Sequence, residues 1–180
     1  MEKEDRRVRL TKRMLKESLL ELLHGGADIH KISVRELCER ADINRSTFYK
    51  YYGSQYDLLK EMEDDWFGQI EQNIGDSTAL DSFHLQDVLN YVNENLELSR
   101  LLCNSNVDPD FAQRLFSLPS VSRLIQESLP LDNMGYAADY VHECHVNGGY
   151  SLIKLWLNKE ERESPEEMVE IMKYVFRVKQ

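Results

Sequence analysis

A chain of 180 residues that is 42% hydrophobic and 30% charged has the composition of a globular protein able to bury a real core in one or two small domains. Eight Gly and four Pro are too few for a turn-rich sheet protein, and no apolar run approaches the roughly 20 residues of a membrane span. The net charge of −10 would exclude a nucleic-acid binder if it were evenly spread. It is not: up to Lys50, 12 Lys+Arg face 9 Asp+Glu, a net of +3, and from Tyr51 onward 10 face 23, a net of −13. A mildly basic head on an acidic body fits a small DNA-binding module carried by a larger regulatory one, the body limiting non-specific binding by repulsion. Three cysteines (Cys38, Cys103, Cys144), odd in number and without CxxC spacing, read as reduced core residues. The charged start, without an apolar signal core, predicts a cytoplasmic location.

The first predicted element is a helix from Arg6 to Leu23. Val8, Leu10, Met14, Leu15, Leu19, Leu20, Leu22 and Leu23 make its apolar stripe, and Arg6, Arg7, Arg9, Lys12, Arg13 and Lys16 crowd its first half. Gly25 and Gly26 end it, and Ile29 and Ile32 tether the following loop.

From Ser33 to Tyr52 the chain reads as two short helices around a tight turn. Ser33 and Glu36 have capping-box spacing, and Val34, Leu37 and Cys38 form one apolar stripe. Ala41-Asp42-Ile43 interrupts it, and Asn44 is placed to cap the second helix. A three-residue turn between capped helices is helix-turn-helix geometry. The second helix turns Phe48 and Tyr52 inward and is otherwise polar at Arg45, Ser46, Thr47, Tyr49, Lys50 and Tyr51. Alone, that pattern fits either a solvated surface helix or an element that enters a major groove.

At these residues the chain resembles the tetracycline-repressor (TetR) family of transcription regulators, in Phe48-Tyr49-Lys50-Tyr51-Tyr52-Gly53-Ser54-Gln55-Tyr56-Asp57-Leu58, over about residues 7–66. Two positions depart from the family pattern. Asp42 stands where Gly is usual, which implies a positive φ that Asp tolerates after Gly and Asn. Gln55 stands where a phosphate-contacting Lys is usual. The resemblance also implies that the basic start of the first helix lies near the duplex backbone.

Gly53 breaks the chain, and Ser54 with Asp57 starts a helix carrying Tyr56, Leu58, Leu59, Met62, Trp66, Phe67 and Ile70 on its apolar side to about Asn73. By resemblance this helix connects head to body, and its N-terminus offers backbone N–H groups to a phosphate. Gly75-Asp76-Ser77-Thr78 is the predicted domain boundary.

The body is predicted to be helical throughout: Phe83–Leu96, a continuation through Cys103 after a kink, a loop at 104–109, a helix at 110–118, a break at Pro119, a short helix through Leu129, and a turn at 130–134. Tyr136 to Leu157 contains Gly148-Gly149, which suggests that another backbone passes very close, since mid-helix Gly costs about 1 kcal/mol relative to Ala. Ser164-Pro165-Glu166-Glu167 starts a last helix, with Met168, Ile171, Met172, Val175 and Phe176 facing inward. Gly-Gly, Trp-Leu and Ser-Pro-Glu-Glu at this spacing resemble the C-terminal domain of Firmicutes-type members, which implies a dimer built as a four-helix bundle.

The expectation is an all-α chain: a helix-turn-helix DNA-binding domain over 1–53, a connecting helix over 54–75, and a regulatory and dimerisation domain over 76–180. It predicts a homodimeric, ligand-responsive repressor on a palindromic operator, not an enzyme, with no cofactor beyond a small-molecule effector of unknown identity. Arg45 is expected to read guanine, Thr47 a thymine methyl, and Tyr49 and Lys50 a base edge or phosphate. Asn44, Ser46 and Gln55 stand beside them, and by resemblance Ser33, Arg35, Tyr51 and Ser54 hold the backbone. Tyr140, Cys144, Gly148, Gly149, Leu152, Trp156, Met168, Ile171, Met172 and Val175 are expected at the dimer surface. Two rivals are a transcriptional activator or co-regulator whose body binds a protein partner, and an enzyme or metal sensor built around His142 and His145, which share a helical face three residues apart but lack a second ligand cluster. No nucleophile elbow, P-loop or GxGxxG is present.

Overall fold

The computed structural model describes residues 6–75, 82–104, 108, 110–128 and 135–176. Among them are ten α-helices and no strand: α1 (Arg6–His24), α2 (Val34–Arg40), α3 (Arg45–Phe48), α4 (Gln55–Ile74), α5 (Ser82–Glu94), α6 (Leu96–Asn104), α7 (Phe111–Phe116), α8 (Pro119–Ser128), α9 (Ala138–Asn158) and α10 (Pro165–Val175). They divide into two compact units, the first ending at Trp66 within α4 and the second beginning at Phe67.

The first unit grows from the apolar stripe of α1. Leu15, Leu19, Leu22 and Leu23 are buried against Ile29, Ile32, Leu37, Phe48, Leu58 and Met62 in one small core. The end of α1 shows why two glycines follow it. Gly26 has φ +83, Ala27 N–H donates to Leu22 O at 3.1 Å, and Gly26 N–H donates to Leu23 O at 3.0 Å. That six-to-one and five-to-two pair closes a helix only if its penultimate residue is left-handed, a conformation glycine adopts without a Cβ penalty. Leu10, expected on the stripe, is 47% exposed. It lies near the start of α1, where little packs against the helix.

In the second unit α10 packs on α5 and α9 on α6, and the core between them includes Leu89, Val92, Leu102, Trp156, Leu157, Met168 and Val169. Asn95 separates α5 from α6 where a kink was expected: its side-chain amide and its backbone N–H both donate to Tyr91 O, at 2.9 and 3.0 Å. Ser164 and Glu167 form a full capping box at α10, with Pro165 in its first turn. Ser120 begins α8 by donating its N–H (3.1 Å) and hydroxyl (2.7 Å) to Glu71, while Arg123 donates to Gly75 O at 2.7 Å. The segment predicted to open α9 at Tyr136 is a 3-10 turn over Gly135–Ala137. Of the predicted boundary at 75–78, Gly75 follows α4 with φ +63, and the other three residues lie outside the described ones. So do the turn at 130–134 and most of the loop at 104–109.

Two inward assignments are corrected. Val175 is 50% exposed, because it sits on the last turn of α10 beyond the cover of α5. Tyr56 is 42% exposed. It is the second residue of α4, where the ring finds His30 on the loop before α2 rather than the core, with its hydroxyl 2.8 Å from His30 Nδ1.

Candidate nucleic-acid interface

The turn of the helix-turn-helix is a second copy of the closure seen after α1. Ile43 N–H donates to Cys38 O at 2.9 Å and Asp42 N–H to Glu39 O at 3.4 Å, with Asp42 at φ +53. Asp42 is the one non-glycine with positive φ among the described residues. This closure reverses the chain within three residues and carries it into α3. Ala41, 3% exposed, fits the crossing. Ser33 Oγ accepts from Glu36 N–H at 3.1 Å and so caps α2 from one side. Asn44 occupies the N-cap of α3 with extended backbone, but its side chain makes no capping bond, which corrects the role expected of it. The cap of α3 is therefore geometric, set by the turn.

α3 is a single regular turn. Beyond Phe48 the bonding is mixed: Lys50 N–H to Thr47 O at 3.3 Å and Tyr51 N–H to Phe48 O at 2.9 Å span i→i−3, while Tyr49 N–H to Arg45 O and Tyr52 N–H to Phe48 O, both at 3.0 Å, keep i→i−4. Phe48 is fully buried and Tyr52 is 4% exposed, their rings 5.5 Å apart. These two anchors fix the rotation of the segment, and the residues between them must face out. Arg45, Ser46, Tyr49 (58%), Lys50 and Tyr51 (36%) are exposed, and Thr47 is half-buried. A guanidinium, an ammonium, hydroxyls and a methyl thus share one projecting segment, the donor-rich surface that base edges and phosphates accept.

The other predicted contacts fall beside it. Ser33 and Arg35 are exposed at the start of α2, Arg35 Nε lying 3.4 Å from Glu39. Ser54 and Gln55 are half-buried, and Gln55 donates to Ile29 O at 3.4 Å. Two backbone donors just ahead of α4 already have an acceptor: Asp57 Oδ2 takes the N–H of Gly53 at 2.8 Å and of Ser54 at 3.0 Å. Gly53 makes that possible, since a Cβ there would stand 3.0 Å from the same oxygen. Of the basic residues on α1, Lys12 and Lys16 are turned to Glu61 and Asp65 of α4, at 3.1, 2.6 and 2.6 Å, while Arg6, Arg7, Arg9 and Arg13 are exposed, Arg13 beside Glu17 at 3.6 Å. Burial pushes the Glu61 carboxyl up, but Lys16 and Lys12 outweigh it and hold the group below the usual carboxylate range. Burial pulls the Lys16 ammonium down, and its bonds to Asp65 and Glu61 more than reverse that. Periodicity gave no sign of this cluster, although the i, i+4 spacings of Lys12 with Lys16 and of Glu61 with Asp65 could have suggested it.

A second exposed surface lies on α9 and α10. Tyr140 (77%), Cys144, Leu155 (63%), Tyr174 (81%) and Val175 (50%) face out, and Cys144, Leu155 and Val175 line an open, mainly apolar groove of about 510 Å³. Gly148, Gly149, Leu152, Ile171 and Met172 are half-buried beside them. Within the subunit the glycine pair faces the Phe176 ring, 3.5 Å from a Cβ built at Gly148, and not a backbone. Trp156 and Met168 leave this surface altogether: both are buried inside the subunit, Trp156 Nε1 donating to Glu163 O at 2.8 Å. His145 Nδ1 lies 2.8 Å from Val141 O. Among the described residues no three His, Cys, Asp or Glu side chains are grouped to hold a metal, and no helix is long and apolar enough to cross a membrane.

Comparison with known proteins agrees with this geometry. A family model described as "Bacterial regulatory proteins, tetR family" matches residues 23–62, and one described as "Transcriptional regulator C-terminal region" matches residues 82–177, more than half of the chain. The chain is 24% identical over 161 residues to the uncharacterized HTH-type transcriptional regulator YxbF of Bacillus subtilis (strain 168). That alignment covers 84% of this chain and 41% of the relative, so the chain spans about two fifths of the length of the curated relative it matches. Among solved structures, a TetR transcriptional regulator from Streptococcus agalactiae 2603V shares 24% identity with a TM-score of 0.70, over 95% of this chain and 96% of that one. The dihydroxyacetone kinase operon activator DhaS shares 19% identity with a TM-score of 0.58, over 92% and 93%. At these identities both establish the fold alone.

Proposed function

Because the chain belongs to the TetR family of bacterial transcriptional regulators and carries that family's DNA-binding head, we propose that it is a cytoplasmic, non-enzymatic repressor that sits as a homodimer on a palindromic operator and is released by a small-molecule effector. Residues 1–53 form the DNA-binding domain, 54–75 the connecting helix, and 76–180 the regulatory and dimerisation domain. The observation that carries the proposal is the α3 segment. Phe48 and Tyr52 hold it from inside, and Arg45, Tyr49 and Lys50 project from it unburied.

Each head inserts that segment into a major groove. Arg45 takes a guanine edge, Thr47 a thymine methyl, and Tyr49 and Lys50 a base edge or nearby phosphate, while Ser33, Arg35 and Tyr51 hold the strands on either side. Phosphate neutralisation makes the affinity fall with salt. A second copy packs on the exposed face of α9 and α10 and sets two half-sites one helical turn, or a multiple, apart. An effector that binds the body better in one arrangement of the heads than in the other shifts the pair away from the operator.

In vitro selection from random-sequence duplex DNA tests this. The expected product is a two-fold symmetric site that shifts with the wild-type protein and not with Tyr49→Ala or Lys50→Ala. Recovery of no enriched sequence, or shifts unaltered in both variants, would remove the assignment.

A further inference from the structure

We infer that His30 and Tyr56 form a paired hydrogen-bond donor that clamps a DNA phosphate beside the groove entered by α3. This rests on the DNA-binding role proposed above and adds a contact that the recognition segment does not contain. Tyr56 is in the first turn of α4, and His30 is three residues ahead of Ser33, the cap of α2. Their polar atoms, Tyr56 Oη and His30 Nδ1, stand 2.8 Å apart with the rings tilted at a centroid distance of 5.8 Å. Both side chains are at the surface, Tyr56 at 42% exposure.

The chemistry of the pair leaves one donor over whichever way the shared hydrogen lies. If Tyr56 donates to Nδ1, the neutral imidazole carries its proton on Nε2, which becomes an outward N–H. If Nδ1–H donates instead, the Tyr56 hydroxyl hydrogen is released to an outside acceptor. Neither residue brings negative charge of its own; the nearby Asp28 carboxylate accepts the His30 backbone N–H at 3.0 Å and faces Lys31 Nζ at 4.0 Å.

The surrounding groups make this pair the donor that matters here. Asp57 already accepts the backbone N–H groups of Gly53 and Ser54, and Gln55 turns inward to Ile29 O. Those three groups are therefore already engaged. The first helix of a helix-turn-helix crosses the DNA backbone, and His30 lies just before that helix.

The test uses the full chain and a duplex selected by the wild-type protein from random-sequence DNA. Tyr56→Phe and His30→Gln are each expected to weaken binding about tenfold, the worth of one lost hydrogen bond to a charged acceptor. Because the pair acts as a unit, the double variant should lose little more than either single one. Phosphate-ethylation interference should lose its signal at one phosphate per half-site and keep the rest. Full-strength binding by Tyr56→Phe with an unchanged interference pattern overturns the clamp, and so does a uniform weakening at every phosphate, which signals a merely structural pair. Either result leaves the DNA-binding role standing, since the wild-type protein still holds its selected duplex. Failure of the wild-type protein to select any duplex overturns both.

Discussion

Tyr52 donates its hydroxyl to Glu61 Oε1 at 3.1 Å and so ties the end of the α3 segment to the middle of α4. The same carboxylate takes Lys16 on Oε1 at 2.6 Å and Lys12 on Oε2 at 3.1 Å, and Lys12 also lies over the Tyr52 ring at 5.8 Å. One acid therefore joins α1, the segment after α3, and α4. Glu61→Gln keeps the shape and removes the charge that both lysines face.

The sign of the pH effect follows from the two shifts. The Glu61 carboxyl is held low in the folded head, so its contribution is complete above the unfolded carboxylate value of about 4.3 and disappears as pH falls through the folded value. The Lys16 ammonium is held high, so its contribution is complete below about 10.4 and disappears as pH rises through the folded value. Urea melts of the wild-type protein should weaken at both limits. Glu61→Gln should flatten the acid side, and equal acid dependence in the two proteins would show that Glu61 is not the linked group.

Asp42 carries the turn at φ +53, where Gly26 carries the equivalent turn after α1 at φ +83. The hydrogen bonds are the same, so the comparison isolates the side chain. A Cβ in the left-handed region costs roughly 1–2 kcal/mol, less for Asp because its short polar side chain bonds locally. Asp42→Ala should destabilise by about 1 kcal/mol, and Asp42→Gly should be neutral or stabilise by up to about that amount, the gain offset by a more flexible unfolded chain. Denaturant midpoints that rank Ala above Gly would mean the turn relaxes out of the left-handed region.

Much of the head was legible because its signals are local. The leucines of α1 fall on one stripe, Ser33 sits at a cap, and the spacing of Phe48 and Tyr52 gives the inward face of the α3 segment without any knowledge of its neighbours. The left-handed backbone at Asp42 was legible only through the resemblance, in which glycine is usual at that position. Residues at the margin of a stripe were not. Leu10, Tyr56 and Val175 satisfy the helical period, but the period says nothing of where the covering element stops. Trp156 and Met168 were misassigned to a surface for the same reason: a helix buried on two sides has an apolar stripe too broad to show which part meets a partner. The lysine–acid cluster depends on the long-range placement of α4 against α1, at which the i, i+4 spacings only hint.

The α3 segment separates support from recognition residue by residue. Phe48→Ala removes a fully buried ring and should cost about 3–5 kcal/mol, enough to unfold the head. Arg45→Ala and Lys50→Ala remove exposed cations and should leave the melting curve within about 0.5 kcal/mol of wild type. On a selected duplex each should lower affinity, Lys50→Ala with a salt slope reduced by about one if it meets a phosphate, and Arg45→Ala with relaxed preference at one base pair if it meets guanine. Circular-dichroism melts and salt-series mobility shifts read the two effects independently.

The outer face of α9 gives a prediction that thiol chemistry can read. Cys38 and Cys103 are buried, and Cys144 is exposed. Burial raises the Cys38 thiol against the pull of Arg45, and pushes Cys103 up to about 12 against the pull of Lys154, so neither forms much thiolate near neutral pH. In an isolated subunit Cys144 should therefore be the one fast-reacting thiol at about pH 8. A second copy packed on Tyr140, Leu155 and Val175 covers Cys144 and removes that fast phase. Tyr140→Asp places a charge where the side chain is 77% exposed, so the subunit keeps its fold while the partner face is spoiled. Sedimentation should give a dimer for the wild-type protein and a monomer for Tyr140→Asp, with one fast thiol gained in the variant. Equal masses and equal Cys144 labelling in the two proteins would place the two-fold contact elsewhere.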